Sequence, residues 1–194
     1  MPRPPDPDLE ERILKAAHTL WKRGGDHALT LRAVARVAGS NTPAVYRRFS
    51  GRRELVRALL LRIAGDIAAV FAAGDSVEQL ADTYVEYALK RPHEFDLFYT
   101  HARELAPPKG PGGARPIRES RPNFALLEQR LARRLGGAPE DHTRIALAIW
   151  ATIHGTTVLL LSKAIEGHEA EFRSACRAAV KALLDGAARF RETE

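Results

Sequence analysis

The stretch LTLRAVARVAGSNTPAVYRRFSGRRELVRALL, residues 29–60, decides the fold of the N-terminal part of this chain. It carries seven arginines and a single acidic residue. Its apolar residues recur at helical spacing, and Gly39 interrupts them with a residue that allows a sharp turn. The pattern predicts two short helices, 31–38 and about 42–49, that are joined by a tight turn and followed by a long helix.

The positive charge of the chain is concentrated in its first third. Residues 1–65 hold 13 Lys and Arg against 6 Asp and Glu, whereas residues 66–194 hold 17 against 18. A charge asymmetry of this kind indicates a polyanionic partner that touches only the basic part. A DNA-binding protein of the architectural type, without sequence specificity, would spread its basic residues more widely, and it is the main alternative.

Helical periodicity continues along almost the whole chain, so the sequence predicts an all-α protein of nine helices. We expect a flexible tail over residues 1–8, a helix-turn-helix DNA-binding domain over 9–56 and a helical domain over 57–194. The Pro- and Gly-rich segment 106–122 interrupts the second domain and predicts a mobile loop without regular structure. The predicted helices are about 7–23, 31–38, 42–49, 51–73, 77–91, 92–105, 123–135, 139–165 and 168–191.

The second short helix has the composition of a DNA recognition helix. Val45 and Phe49 lie one turn apart and are expected to be buried, which leaves a polar and basic outer surface. Arginine can bind guanine with two hydrogen bonds, and helix starts flanked by arginine favour phosphate. The residues predicted to contact DNA are Thr30, Arg32, Asn41, Thr42, Pro43, Ala44, Tyr46, Arg47, Arg48, Arg52 and Arg53.

This basic segment resembles the DNA-binding region of TetR-type transcriptional regulators over about residues 10–61. The positions that carry the resemblance are Thr30, Ala38, Gly39, Tyr46, Phe49 and Arg52. Two residues depart from the usual pattern, because Arg48 stands where the family often has His and Arg52 where it often has Lys. The resemblance implies a homodimeric repressor that binds a palindromic operator and is released by a small molecule.

The C-terminal domain is expected to bind that effector and to form the dimer. The segment IALAIWATIHGTTVLLL is similar to the Trp-x-x-x-His-Gly signature of one TetR subgroup, and aromatic residues recur at helical spacing in YVEYALKRPHEFDLFYTHAREL. The candidate effector residues are Tyr84, Tyr87, Phe98, His101, Trp150 and His154, with ordinary core packing as the alternative for each. The dimer is predicted to use helices 139–165 and 168–191, through residues that include Ile145, Ile149, Ile153, Leu160, Leu161, Ala179, Leu183 and Leu184.

Other function classes find little support in the sequence. An all-α enzyme acting on phosphorylated substrates is the weakest alternative, because no HxxxH or HExxH spacing occurs and the single cysteine, Cys176, lacks a partner. We therefore expect no catalytic site, no metal site and no cofactor. With no apparent signal peptide or membrane span, the expected location is the cytoplasm.

Overall fold

The structure is a computed structural model that describes residues 6–101, 117–163 and 165–187, and all regular structure in those ranges is helical. This confirms the all-α prediction. The helices are α1 (Leu9–Ala28), α2 (Leu31–Val37), α3 (Thr42–Arg48), α4 (Arg52–Ala72), α5 (Val77–Lys90), α6 (Pro92–His101), α7 (Ile117–Ser120), α8 (Pro122–Leu135), a 3-10 helix (Pro139–His142), α9 (Thr143–Leu161) and α10 (Glu169–Asp185).

The chain divides into two compact units. The first runs to Gly65 and includes the segment that begins at His93, and the second comprises Asp66–Pro92 and the chain from Ala106 onward. The boundary predicted at residue 57 lies inside α4, because that helix starts in the first unit and continues into the second.

In the first unit α1 packs on α2 and α2 on α3. The turn between α2 and α3 depends on Gly39, whose φ of +64° suits glycine far better than residues with a side chain. The prediction that α1 ends at Gly24 and Gly25 is only partly right. Both glycines leave helical geometry, but helical hydrogen bonding resumes and extends to Ala28.

Side chains cap the starts of three helices in the structure. The Thr30 hydroxyl accepts a hydrogen bond from the Ala33 amide at the start of α2, and Asn41 Oδ1 accepts one from the Ala44 amide at the start of α3. Ser76 forms a reciprocal capping box with Gln79 at the start of α5. Each cap satisfies a backbone donor that the helix itself leaves unpaired, so local sequence fixes where these helices begin.

In the second unit α9 packs against α5, α8 and α10. Most of the residues predicted for the dimer face cannot form it, because neighbouring helices cover them and Ile149 and Leu160 are buried within the chain. Ile145, Ile153 and Leu184 are buried in the same way. The large apolar residues that α9 leaves exposed are Leu147, Val158 and Leu159.

Arg130 of α8 fastens the link between α4 and α5 inside this unit. Its Nη2 donates to the carbonyl oxygen of Phe71 at 2.5 Å and also to that of Gly74. Its Nη1 lies 3.4 Å from the carbonyl oxygen of Ser76. One buried side chain thereby serves the C-terminal end of α4 and the turn that follows it, where carbonyl groups lack helical partners.

The segment expected to be an irregular loop contains helical structure within its described part. Residues 106–116 lie outside the described ranges, but Ile117–Ser120 form α7 and α8 already starts at Pro122. Arg118 explains this departure, because it pairs with Glu128 at 3.1 Å and Glu140 at 2.9 Å and donates to the Thr143 hydroxyl at 3.0 Å. These contacts hold α7 against α8 and the start of α9.

One described segment, Pro139–Leu161, is long and apolar enough to cross a membrane by length and composition alone. The expectation of no membrane span therefore does not follow from composition here. Composition does not separate a membrane span from a helix that packs on other helices, and α9 packs on three of them.

Candidate nucleic-acid interface and aromatic cluster

The outer face of α3 is formed by Pro43, Tyr46 and Arg47, all of which are exposed. Tyr46 is 54% exposed, unusually open for a tyrosine, while Val45 and Phe49 on the opposite side are buried. The seven-residue helix therefore presents one ring hydroxyl and one guanidinium to solvent on a well-anchored base. This geometry suits a helix that enters a groove of DNA.

The predicted exposure of Ala44 is wrong. Ala44 is 4% exposed and faces inward beside Val45, while its amide donates to the cap residue Asn41. Arg48 is half-buried on the same side of the helix, and its Nη2 donates to the carbonyl oxygen of Asp6 at 3.0 Å. Asp6 also forms an ion pair with Arg12, so the described end of the predicted flexible tail is fastened to the first unit.

Exposed arginines surround α3. Arg32, Arg47 and Arg53 are exposed and form no ion pair with any residue in the described ranges, and the same holds for Arg36. Arg36 is absent from the predicted DNA contacts, although it follows Arg32 by four residues and therefore lies on the same side of α2. Four uncompensated guanidinium groups make this surface strongly electropositive.

Arg52 is held within the unit. Its Nε donates to the Leu29 carbonyl at 3.1 Å, and its Nη2 lies 2.5 Å from Oδ1 of Asp26. Hydrogen bonding to Arg52 holds the pKa of the Asp26 carboxyl below its ordinary value. Arg52 therefore joins the first turn of α4 to the link between α1 and α2, while its side chain remains 43% exposed.

An aromatic cluster occupies the second unit and contains four of the predicted effector residues. The Tyr84 hydroxyl lies 3.0 Å from Nδ1 of His154, and the His154 ring lies 6.3 Å from that of Trp150. Phe71 contacts the rings of Tyr84 at 5.7 Å and Tyr87 at 6.2 Å. Burial lowers the pKa of His154, so its imidazole favours the neutral form.

Both halves of the chain match models of one protein family. Residues 13–59 match the model described as Bacterial regulatory proteins, tetR family, and residues 77–183 match the Tetracyclin repressor-like, C-terminal domain. The second match alone covers more than half of the chain. The chain belongs to the TetR family. It is therefore a helix-turn-helix transcriptional regulator from a family whose members are not enzymes.

Individual TetR-family and related proteins are similar over most of this regulator. It is 26% identical over 156 residues to the uncharacterized HTH-type transcriptional regulator Rv0681 of Mycobacterium tuberculosis, covering 77% of this chain and 68% of that protein. A protein with unknown function from Rhodococcus sp. RHA1 is 24% identical, with a TM-score of 0.69 and coverage of 96% of this chain and 98% of that one. A TetR variant from Acinetobacter baumannii AYE in complex with minocycline is 20% identical, with a TM-score of 0.60 and coverage of 93% and 97%. The two structural matches establish the fold of the TetR regulator, and the Trp-x-x-x-His-Gly subgroup stays a prediction.

The remaining two predicted effector residues of this TetR-family chain lie in the first unit. Phe98 and His101 belong to α6, and the Phe98 ring lies 5.9 Å from that of Tyr99. The predicted set of six is therefore divided between the two units, with only Tyr84, Tyr87, Trp150 and His154 in the second.

A buried carboxylate that the sequence analysis missed ties α6 to α1 within the first unit of the regulator. Glu94 is 1% exposed, and its Oε1 lies 2.7 Å from Nε2 of His18 and 3.4 Å from Nζ of Lys22. Nearby, Nε1 of Trp21 donates to the His93 carbonyl at 2.6 Å. No local signal in the sequence could predict these contacts, because the partners lie more than 70 positions apart.

Proposed function

We propose that this TetR-family regulator is a ligand-responsive repressor that binds a palindromic operator as a homodimer and leaves it when a small molecule binds. The observation that carries the DNA-binding part is the exposed face of Pro43, Tyr46 and Arg47 on α3, flanked by Arg32 and Arg53. In the major groove Arg47 can donate two hydrogen bonds to guanine, and Tyr46 can reach a base edge or a phosphate. The flanking arginines are free to neutralise backbone phosphates.

The proposed contact set is smaller than the one predicted from sequence. The side chains of Thr30 and Asn41 act as caps, but the Thr30 hydroxyl and the Asn41 amide keep N–H or O–H donors for phosphate. Arg48 and Arg52 make internal hydrogen bonds, so their main contribution is to position the recognition helix. Ala44 is dropped because it is buried.

The exposed side of α9 is the proposed dimer face. Leu147, Val158 and Leu159 are each at least 41% exposed, and Gly155 between them has open space where a Cβ atom would lie. A partner helix could approach closely at that glycine and cover the apolar residues, which explains why so apolar a helix is only partly buried in one chain. A homodimer also provides two recognition helices for half-sites about 34–36 Å apart. With DNA as the partner, we infer a cytoplasmic location.

The proposed effector site is the aromatic cluster of the second unit. Its rings are apolar and mostly buried, and the Tyr84 hydroxyl and the His154 imidazole add a few polar groups, a combination typical of small-molecule sites. A similar fold is known with a ligand, since the Acinetobacter baumannii TetR variant was solved in complex with minocycline. We infer that this chain binds its own effector in the corresponding domain.

Selection of DNA fragments from a random pool by the purified protein tests this proposal. We expect an enriched inverted repeat with half-sites about one helical turn apart. Arg47→Ala should relax the preference at one position in each half-site, whereas Arg133→Ala, an exposed position on α8, should leave the selected sequence unchanged. Binding that falls steeply with salt but enriches no sequence would refute operator recognition and leave the architectural alternative.

A further inference from the structure

Arg121 carries a guanidinium group for which the described part of the chain offers no hydrogen-bond acceptor at Nη1. It lies immediately before α8 and is half-buried, and its Nη1 is enclosed without a hydrogen-bond acceptor. Nε of its neighbour Arg118 also lacks a well-aligned hydrogen bond, but that guanidinium forms ion pairs with Glu128 and Glu140. Within the described ranges no carboxylate pairs with Arg121. An enclosed donor without an acceptor destabilises the folded chain, so its presence calls for a partner beyond those that the described residues supply.

This unpaired cation adjoins the aromatic cluster. The Arg121 carbonyl accepts the amide of Phe124, which places the two residues in the same first turn of α8. The Phe124 ring meets that of Trp150 edge-on at 6.0 Å, and Trp150 in turn contacts His154. After burial, the positive charge of Arg121 is the second cause that lowers the pKa of His154. Arg121, Phe124, Trp150 and His154 thus border one region of the second unit.

We propose that the effector is an organic anion with an aromatic or other flat apolar body, and that Arg121 binds its carboxylate or sulfonate group. This inference rests on the proposed effector site and specifies its ligand. A planar guanidinium can donate two parallel hydrogen bonds to a carboxylate, and the pairing would satisfy the enclosed Nη1. The rings of Phe124 and Trp150 supply the surface for the apolar body.

Two dyes that differ mainly in one sulfonate test the charge preference. Fluorescence titration of the full chain with 8-anilinonaphthalene-1-sulfonate and with N-phenyl-1-naphthylamine should give affinity for the anionic dye at least about tenfold higher, the smallest difference expected for a hydrogen bond to a charged group. Arg121→Gln should lower the affinity for the sulfonate dye by about tenfold or more and change the affinity for the neutral dye by less than about twofold. Arg121→Lys should retain part of the preference because it keeps the charge but loses the planar pair of donors.

Two further variants locate the dye site. Phe124→Leu should lower the affinity for both dyes, because it removes the contact of an aromatic ring without changing the charge. Arg133→Gln on the exposed side of α8 should leave the affinity for both dyes unchanged. It is the matched control for the loss of one positive charge. If Arg121→Gln changes neither dye although both bind, the anion pairing is refuted and the effector site itself stands. If neither dye binds, the aromatic cluster is closed core, and both the effector site and this inference fail.

The stability of the ligand-free protein gives a second, independent test. If Arg121 is kept for a ligand, Arg121→Met should leave the Tm unchanged or raise it by about 2 °C or more, because it removes an enclosed, unpaired donor. A residue with a purely structural role would show the opposite sign. A fall in Tm of more than about 2 °C would therefore overturn the inference.

Discussion

Arg130 offers the most direct test of how the second unit is held together. It is 3% exposed, and its guanidinium serves carbonyl groups at the end of α4 and in the turn before α5. Arg130→Met keeps an unbranched apolar stem, although a shorter one, and removes every donor. The carbonyl groups of Phe71 and Gly74 then lose a charged partner. We expect the variant to fold with the same helical content and a lower free energy of unfolding.

The size of the effect follows from the contacts. The Ser76 carbonyl lies at 3.4 Å, near the limit of a hydrogen bond, so we count only the contacts to Phe71 and Gly74. Two hydrogen bonds to a charged donor contribute about 3–6 kcal/mol. Removing a guanidinium from the interior also recovers part of its desolvation cost, so the net loss should be about 3 kcal/mol. For a chain of this size that corresponds to a fall in Tm of about 6–12 °C.

Urea denaturation followed by circular dichroism measures this loss. The control is Arg133→Met on the same helix, where the side chain is exposed and the expected change is within about 0.5 kcal/mol. The slope of the unfolding free energy against urea should be the same in all three proteins. If Arg130→Met also lies within about 0.5 kcal/mol of the parent chain, the assignment of Arg130 as the fastening between α4, α5 and α8 is refuted.

Three further predictions concern the dimer, the DNA-binding surface and pH. Val158→Arg should convert the dimer to a monomer in sedimentation experiments, whereas Leu89→Arg on α5 should not, and a dimeric Val158 variant would exclude the proposed face. Arg53→Ala should reduce the salt slope of operator binding by about 1 without changing Tm. Arg52→Ala should also lower Tm, because its hydrogen bonds to Leu29 and Asp26 are lost. Equal Tm values for the two variants would show that Arg52 does not stabilise the fold. The folded-state pKa of His154 lies below its ordinary 6.5, so the unfolded chain binds the proton more readily and stability is lost as pH falls below about 6.5. His154→Gln should therefore flatten the fall in Tm between about pH 7 and pH 5, and an unchanged profile would show that other groups cause it.

Local chemistry made the N-terminal half of the fold predictable. Thr30, Asn41 and Ser76 each place a side-chain oxygen where the first amides of a helix need an acceptor, and the structure contains all three caps. Gly39 marks the turn for a similarly local reason, since its backbone conformation is one that other residues rarely adopt. These signals act over three or four residues and can be read directly from the chain.

Direction of burial was harder to predict than helix position. Helical spacing identifies an apolar stripe, but in α9 apolar residues occur on both sides, and Ile149 faces the neighbouring helices while Val158 faces outward. Only packing of other helices decides which side is covered. In α3 the same ambiguity placed Ala44 outside, because a small side chain of that type fits either environment. The hydrogen bond between His18 and Glu94 depends on tertiary contact alone and had no sequence signal.

The arginines of residues 29–60 show why composition predicts a partner better than it predicts contacts. Their charge indicates a polyanion, yet Arg48 and Arg52 are bound to carbonyl groups of the chain while Arg32, Arg47 and Arg53 face solvent. Arg48 and Arg52 fix α3 and the start of α4 relative to their neighbours. A fixed recognition helix makes a base contact specific, because a guanidinium must meet guanine in one orientation. The exposed arginines then extend from a fixed backbone, and only their side chains need to be ordered when DNA binds. On this argument, loss of an internal arginine should impair sequence preference and stability together, whereas loss of Arg53 should reduce affinity for all sequences alike.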